Sequence, residues 1–266
     1  MKNILFIGAG NMASAIVGGI IKSNIVAPCD ICLFDKFPEQ YNKFHKDCIK
    51  SVDLKQDFLK ADYVFLSVKP QNIKDVLSLL KEFDYQSKVF VSICAGVTIE
   101  SISNILNGAK IIRTMPNTPL LLGQGVTALC KNSYVSFAEF DFVKSIFASS
   151  GYTTEIDEGD INTLTALTSS SPAYIYLFAK GLEDGAKKLG FDYADTLKMI
   201  CYTLIGSANM ILSTNKSVDE LIAMVKSPNG TTERALNVLD DKCFTDIIYQ
   251  AMDACQRRAE ELSKLN

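Results

Sequence analysis

The sequence predicts an α/β chain in two parts: a doubly wound sheet over residues 1–156, then an all-helical segment over 157–266. Three observations carry this. Short apolar runs alternate with helix-spaced segments through the first half. The clearest run, Tyr63–Val68, is continuously apolar, as in strands buried on both faces of a parallel sheet. From Ile161 onward no run reads as a strand.

The elements follow in order. Lys2–Ile7 is a strand, and Met12–Ser23 follows with helical spacing at Met12, Ile16 and Ile20. Ile31–Phe34 is the second strand and Cys48–Val52 a short third. Helical Ile73–Phe83 separates Tyr63–Val68 from the strand at Val89–Ile93, and further strands are expected at Lys110–Arg113 and Val126–Cys130. Strands alternating with helices imply right-handed crossovers. The pattern changes between Thr154 and Asp160. Beyond it Asp192 is placed to cap a helix with the apolar face Leu197, Ile200, Cys201, Leu204, Ile205, Ala208, Ile211 and Leu212. The last helix repeats the arrangement from Phe244 to Leu262. About 110 residues are few for several helices this apolar, so a second copy is expected to cover the excess. The expected assembly is a homodimer, with a higher oligomer of dimers left open.

Composition bounds the function. The 266 residues are 48% hydrophobic and 21% charged, which is ordinary globular usage. A net charge of -3 gives no electrostatic footprint for nucleic acid or an anionic membrane surface. No apolar run is long enough to span a bilayer. Met1–Ile7 runs straight into Gly8 without a signal-peptide apolar region, so a cytoplasmic chain is expected. The eight cysteines then read as reduced thiols, most of them small buried hydrophobes. Cys29 and Cys32 form a C-x-x-C, but no second pair exists and His45 is the only histidine, so no metal site is expected.

Gly8-Ala9-Gly10-Asn11-Met12-Ala13 follows the first strand and opens the first helix. This is G-x-G-x-x-A in the setting that makes it a dinucleotide loop of the Rossmann type. Gly8 allows the tight turn, Gly10 lets the backbone approach a pyrophosphate, and Ala13 is small enough for close helix–sheet packing. The helix start presents free N–H groups and a positive dipole end. The second strand ends in Asp35-Lys36. An acidic residue there accepts from the adenosine ribose hydroxyls and repels a 2′-phosphate, whereas Lys36 would attract one. The balance leans to NAD(H) and leaves NADP(H) open. Two more loops lie at carboxyl ends of strands, Ser67-Val68-Lys69-Pro70-Gln71 and Cys94-Ala95-Gly96-Val97-Thr98. With the first loop they would form one crevice.

The missing residue types narrow the reaction. A histidine base is a common answer to alcohol oxidation. His45 stands in the charged stretch Phe44-His45-Lys46-Asp47 and reads as a surface residue. Carbonyl reduction also needs stabilisation of an alkoxide. Reduction of C=N asks for less, since a protonated imine already attracts hydride, and positioning with a hydroxyl and backbone N–H groups suffices. The turn Ser227-Pro228-Asn229-Gly230-Thr231-Thr232-Glu233 offers such groups for a substrate carboxylate. Plain capping by Ser227 or Thr231 explains the same residues equally well.

The chain resembles the pyrroline-5-carboxylate reductase family along essentially its whole length. The resemblance rests on Ile7–Ala13, Val68-Lys69-Pro70-Gln71, Ala95-Gly96-Val97-Thr98, Arg113-Thr114-Met115-Pro116-Asn117-Thr118-Pro119, Ser171-Pro172-Ala173-Tyr174 and Ser227–Thr232. It implies a Rossmann domain plus a helical dimerisation domain. It implies hydride transfer from NAD(P)H to the ring C=N carbon of 1-pyrroline-5-carboxylate, giving L-proline. By the same resemblance, Ser227, Gly230, Thr231 and Thr232 bind substrate, and the Thr232 hydroxyl donates to or orients the ring nitrogen. Asn117 falls in the cofactor-side wall, and each active site is closed by the partner's helical domain. The implied cofactor contacts are Gly8, Ala9, Gly10, Asn11, Met12, Ala13, Asp35, Lys36, Val68, Lys69, Pro70, Ala95, Gly96 and Asn117.

The departures are specific. Ser169-Ser170-Ser171 stands where the family usually has Gly-Ser-Gly, and Asn229 stands at a usual glycine. Met224 or Ala223 occupies the place of a common asparagine. Asp35 departs from the Ser/Asn-Arg pairs common in NADPH-preferring members. Three alternatives share the architecture, another imine reductase being one. A β-hydroxyacid dehydrogenase would rely on a lysine, for which Lys180 is the nearest candidate, and a nucleotide-sensing Rossmann protein would bind without turnover.

Overall fold

The computed structural model describes residues 2–265. In chain order it runs β1 (Ile4–Ile7), α1 (Asn11–Lys22), β2 (Ile31–Phe34), β3 (Ile49–Lys50), α2 (Leu54–Lys60), β4 (Tyr63–Leu66), α3 (Ile73–Leu80), β5 (Val89–Ser92), α4 (Ile99–Ser103), β6 (Lys110–Pro116), β7 (Gly125–Lys131), α5 (Phe137–Ala148) and β8 (Gly151–Glu155). Then come α6 (Ile161–Leu164), α7 (Ser171–Lys188), α8 (Thr196–Ser213), α9 (Val218–Val225), α10 (Thr231–Asp241) and α11 (Phe244–Leu265).

The eight strands form one sheet in the order β3-β2-β1-β4-β5-β6-β7-β8. Pairing is parallel throughout except between β6 and β7. The continuous apolar runs have the expected cause. On β1, Ile4 and Phe6 join the core on one face while Leu5 and Ile7 join the core on the other. On β4, Tyr63 and Phe65 divide from Val64 and Leu66 in the same way. Successive strand side chains point to opposite faces, so a strand covered on both sides must be apolar at every position. The first face is covered by α1 and α5, through Ile16, Ile20, Phe140, Val143 and Phe147. The second is covered by α2, α3 and α4, through Phe58, Leu77 and Ile102. Phe6 and Phe65 stack with centroids 4.5 Å apart. Full burial of such a side chain contributes roughly 1.5–3 kcal/mol.

Several expectations need correction. The third strand shrinks from Cys48–Val52 to Ile49–Lys50, both exposed at the sheet edge. β6 continues to Pro116, and its partner β7 runs antiparallel, so that connection is a hairpin-like return and not a crossover. β8 was not anticipated: its residues are Gly-Tyr-Thr-Thr-Glu, and none is buried. Asp192 does not cap α8; Asp195 precedes the helix, and no side chain caps it. Of the eight cysteines, only Cys32, Cys48, Cys94 and Cys130 are buried. Cys29 lies in an exposed turn, so the C-x-x-C is split between surface and core. No cluster of potential metal ligands occurs among the described residues, and no helix is long and apolar enough to cross a membrane.

Packing divides the chain into two compact units, with breaks between Ser170 and Ser171 and between Asp253 and Ala254. The sheet unit includes α6 and the end of α11. Ser263 Oγ approaches Asn162 Oδ1 at 3.4 Å, and the Cys255 thiol donates to Ser170 Oγ at 3.2 Å. The helical unit, 171–253, buries little: Pro172 and Ala179 on α7 and Thr196 on α8. On the apolar face of α8, Leu197, Ile205, Ile211 and Leu212 are exposed, the last at 84%.

Candidate active site

The strand order reverses at β1, and the ends of β1 and β4 meet there. Open α/β sheets bind ligands at this point, beyond the carboxyl ends of the strands. Gly8 leaves β1 with φ +99°. A Cβ on it would lie 2.5 Å from the Ser67 carbonyl oxygen at the end of β4. The position therefore requires glycine twice, for conformation and for space. Its N–H donates to Phe34 O at 2.8 Å. The Ser67 hydroxyl donates towards both Ile7 O and Gly8 O, at 3.0 and 2.6 Å, and binds the two strand ends together. Ala9 and Ala13 are buried.

Gly10 is different. Nothing lies within 4 Å of a Cβ built on it. It is the N-cap of α1, no side chain caps it, and the first helical bond is Ser14 N–H to Gly10 O. The helix start at Asn11, Met12 and Ala13 thus faces an open cradle with donors directed outward. A pyrophosphate fits this geometry and a helix N-terminus favours its charge.

The loops after β4 and β5 are tied to this turn through Ser67 and Cys94. Lys69 precedes the single helical turn Pro70–Asn72, and Val68 is half-buried. The Cys94 thiol donates to Leu66 O at 3.4 Å and Val68 O at 3.3 Å, locking the loop after β5 to the loop after β4. Burial pushes this thiol up to about 11, so it stays protonated and acts as a donor. Ala95 is exposed, and Gly96 turns with φ +73°, where a Cβ would lie 3.2 Å from that of Leu262. Asn117 is buried at the end of β6. Its Oδ1 accepts from Val126 N at 2.8 Å and its Nδ2 donates to Thr168 O at 2.9 Å. One N–H remains for a ligand. In the same segment Arg113, 4% exposed, pairs with Glu158 at 2.9 Å, and Glu158 also accepts Ile99 N–H at 2.8 Å.

At the end of β2 the Asp35 carboxylate accepts from Ala9 N at 2.6 Å and Phe37 N at 2.9 Å, whereas Lys36 is exposed. Sequence reasoning missed Tyr41 here. Its hydroxyl accepts from Asp35 N at 2.9 Å and donates to Asp35 O at 3.1 Å. No periodic pattern marks a tyrosine seven residues beyond a strand end. His45 is exposed, as expected.

In the helical unit the turn Ser227–Gly230 leads into α10. Asn229 takes φ 58°, the left-handed conformation that asparagine tolerates, so its replacement of a glycine costs little. Gly230 is the N-cap, and no side chain caps the helix. This decides against capping by Ser227 or Thr231. Ser227 instead closes the turn through its carbonyl, which accepts Gly230 N–H at 2.9 Å. The Glu233 carboxylate folds back to Asn229 N–H at 2.7 Å. The N–H groups around Thr231 and Thr232 are left to the exterior. Lys180, by contrast, is an exposed residue of α7 bound to Asp184 one turn on, and that hydrogen bond raises its pKa. This is an ordinary surface pair. Ser169, at one of the altered glycines, sits in a π-helical turn with its Oγ buried and without a hydrogen-bond partner among the described residues.

The fold and these loops define an NAD(P)-dependent oxidoreductase with a Rossmann sheet and a helical segment. A model described as pyrroline-5-carboxylate reductase dimerisation matches residues 158–262, and one described as NADP oxidoreductase, coenzyme F420-dependent, matches residues 3–96. The pyrroline-5-carboxylate reductase of Escherichia coli strain K12 is 36% identical over 266 residues, covering 99% of each chain. Among solved structures, a pyrroline-5-carboxylate reductase from Coxiella burnetii aligns with TM-score 0.90 at 35% identity, covering 98% of each chain. The Plasmodium falciparum pyrroline carboxylate reductase with NADP bound aligns with TM-score 0.90 at 28% identity, again over 98% of each. The chain belongs to the pyrroline-5-carboxylate reductase family.

Proposed function

We propose that this protein reduces the ring C=N bond of 1-pyrroline-5-carboxylate to give L-proline, as the last step of proline synthesis. The observation that carries the reading is the pairing, in one chain of this family, of an open glycine cradle at Gly10 with an uncapped helix start at Gly230. The bound nicotinamide cofactor supplies the hydride. Gly8, Gly10 and the N–H groups of Asn11, Met12 and Ala13 hold the pyrophosphate, and Ala9 contributes the turn between the glycines. Asp35 receives the adenosine ribose. Val68, Lys69 and Pro70 form one wall, and Ala95, Gly96 and Asn117 the other, with Lys36 at the rim.

Substrate recognition falls to α10. The N–H groups of Gly230, Thr231 and Thr232 take the carboxylate, favoured by the positive end of the helix dipole. Ser227 shapes the turn that exposes them. The Thr232 hydroxyl hydrogen-bonds the ring nitrogen. As the ring carbon gains the hydride, the nitrogen takes one proton and the imine becomes a secondary amine. The cofactor is oxidised by two electrons, which balances the step. No group must stabilise an oxyanion, which suits a site without histidine.

The assembly is a homodimer through residues 157–266, and larger assemblies are multiples of it. The exposed apolar face of α8 supports this, since a surface this apolar does not persist against water. A soluble cytoplasmic location accords with the reaction. A steady-state assay decides the reading: addition of 1-pyrroline-5-carboxylate should drive oxidation of NADH or NADPH. Turnover confined to hydroxy acids, with loss on Lys180→Ala, would transfer the chain to the β-hydroxyacid dehydrogenase reading. Dinucleotide binding without turnover would make it a sensor.

A further inference from the structure

Resting on the dinucleotide reading above, we infer that this chain selects the cofactor lacking a 2′-phosphate, with Asp35 as the specificity-determining residue and Tyr41 as the residue that positions it. The Asp35 carboxylate is not a loose surface charge. Its Oδ2 accepts the N–H of Ala9, between the two loop glycines, and its Oδ1 accepts the N–H of Phe37. A carboxylate offers about four acceptor sites. Two are filled from the protein, and two remain for a pair of hydroxyl donors on neighbouring carbons, which a ribose diol supplies. A 2′-phosphate brings only acceptors and negative charge to the same place, so it loses the hydrogen bond and meets repulsion.

The backbone of Asp35 is fixed as firmly as its side chain. A single hydroxyl, that of Tyr41, takes both its N–H and its carbonyl, and the half-buried Tyr41 packs against the core cluster on that face of the sheet. Swinging the carboxylate away to admit a phosphate would break its bonds to the N–H groups of Ala9 and Phe37. The nearby cations do not offset the charge in the same way. Lys36 is exposed. The Lys43 ammonium is held by Asn11 Oδ1 at 2.9 Å and Gln40 Oε1 at 2.6 Å, which places it at the first residue of α1.

Direct titration with ADP-ribose and 2′-phospho-ADP-ribose tests the inference without reference to turnover. The wild-type chain should bind ADP-ribose tighter by about tenfold or more. Asp35→Ser, and Asp35→Asn with its unchanged shape, should erase that preference. Tyr41→Phe should reduce it, and should raise KM for NADH by a larger factor than it lowers kcat. Lys36→Ala should leave the ratio in place. Equal or tighter binding of the phosphorylated fragment by the wild type would overturn the inference, as would a ratio set by Lys36. Binding of neither fragment would overturn the reading of the glycine loop, and the inference with it.

Discussion

The Asn117 amide nitrogen lies 2.9 Å from the Thr168 carbonyl oxygen and donates to it. The same side chain accepts from Val126 N–H, so one buried amide ties the end of β6 to β7 and to the π-helical turn before α7. The Met-Pro-Asn-Thr-Pro run is thus a brace, apart from its proposed place in the wall of the site. Replacing Asn117 with alanine leaves a buried N–H and a carbonyl without partners, a loss of about 1–3 kcal/mol. Denaturant unfolding should show that loss, together with weaker cofactor binding. An unchanged midpoint would mean that the brace carries no load.

The two loop glycines should respond to substitution in opposite ways. Gly8→Ala places a Cβ 2.5 Å from backbone in a conformation that side chains rarely adopt, so stability should fall by more than 1 kcal/mol. At Gly10 a Cβ meets no protein atom within 4 Å, so Gly10→Val should leave the melting temperature nearly unchanged. It fills the cradle instead and should weaken dinucleotide binding at least about tenfold. Thermal melts and cofactor titrations on the same two variants separate the effects. Retained affinity in Gly10→Val would remove this loop from the site.

A pH effect is expected at α5. Ser136 and Glu139 form a capping box, and Glu139 also binds Lys110 at 2.6 Å. Burial pushes the Glu139 carboxyl up, but donation by Lys110 and Ser136 outweighs it and holds the pKa below the ordinary value. A carboxylate with a depressed folded-state pKa stabilises fully above its unfolded value, and that contribution is lost as pH falls through the folded one. Glu139→Gln should therefore cost roughly 1 kcal/mol near neutrality. The gap from wild type should close in acid below the carboxylate range. A gap independent of pH would assign the effect to shape rather than charge.

Thr232 stands in the first turn of α10, beside the N–H groups assigned to the carboxylate. Thr232→Ala should lower kcat by about ten- to a hundredfold, the scale of a single lost hydrogen bond at a reacting group. Affinity for the dinucleotide should be unchanged, because that site is built from other elements. Rapid turnover in the variant would exclude the hydroxyl from the reaction.

Much of the sheet was legible because burial on both faces forces apolar residues along β1 and β4 and at Val89–Val91 of β5. The glycine loop was legible because its φ and its spacing admit so few residues. β8 was not: an edge strand with no buried residue carries no apolar signal, and Gly-Tyr-Thr-Thr-Glu reads as a loop. The antiparallel turn of β7 was hidden for a related reason, since an apolar run does not encode strand direction. Tyr41 escaped because its role depends on a hydroxyl reaching one backbone residue. The uncapped starts of α1 and α10 could not be told from capped ones without coordinates, because Ser227 and Thr231 are good capping residues by type.

The most direct measurement uses nicotinamide cofactor carrying deuterium at the transferred position and mass spectrometry of the product from 1-pyrroline-5-carboxylate. Imine reduction by this chain predicts proline with one added deuterium, on the nitrogen-bonded ring carbon that does not carry the carboxylate. Unlabelled proline, or no proline from a preparation that binds both reactants, would contradict it.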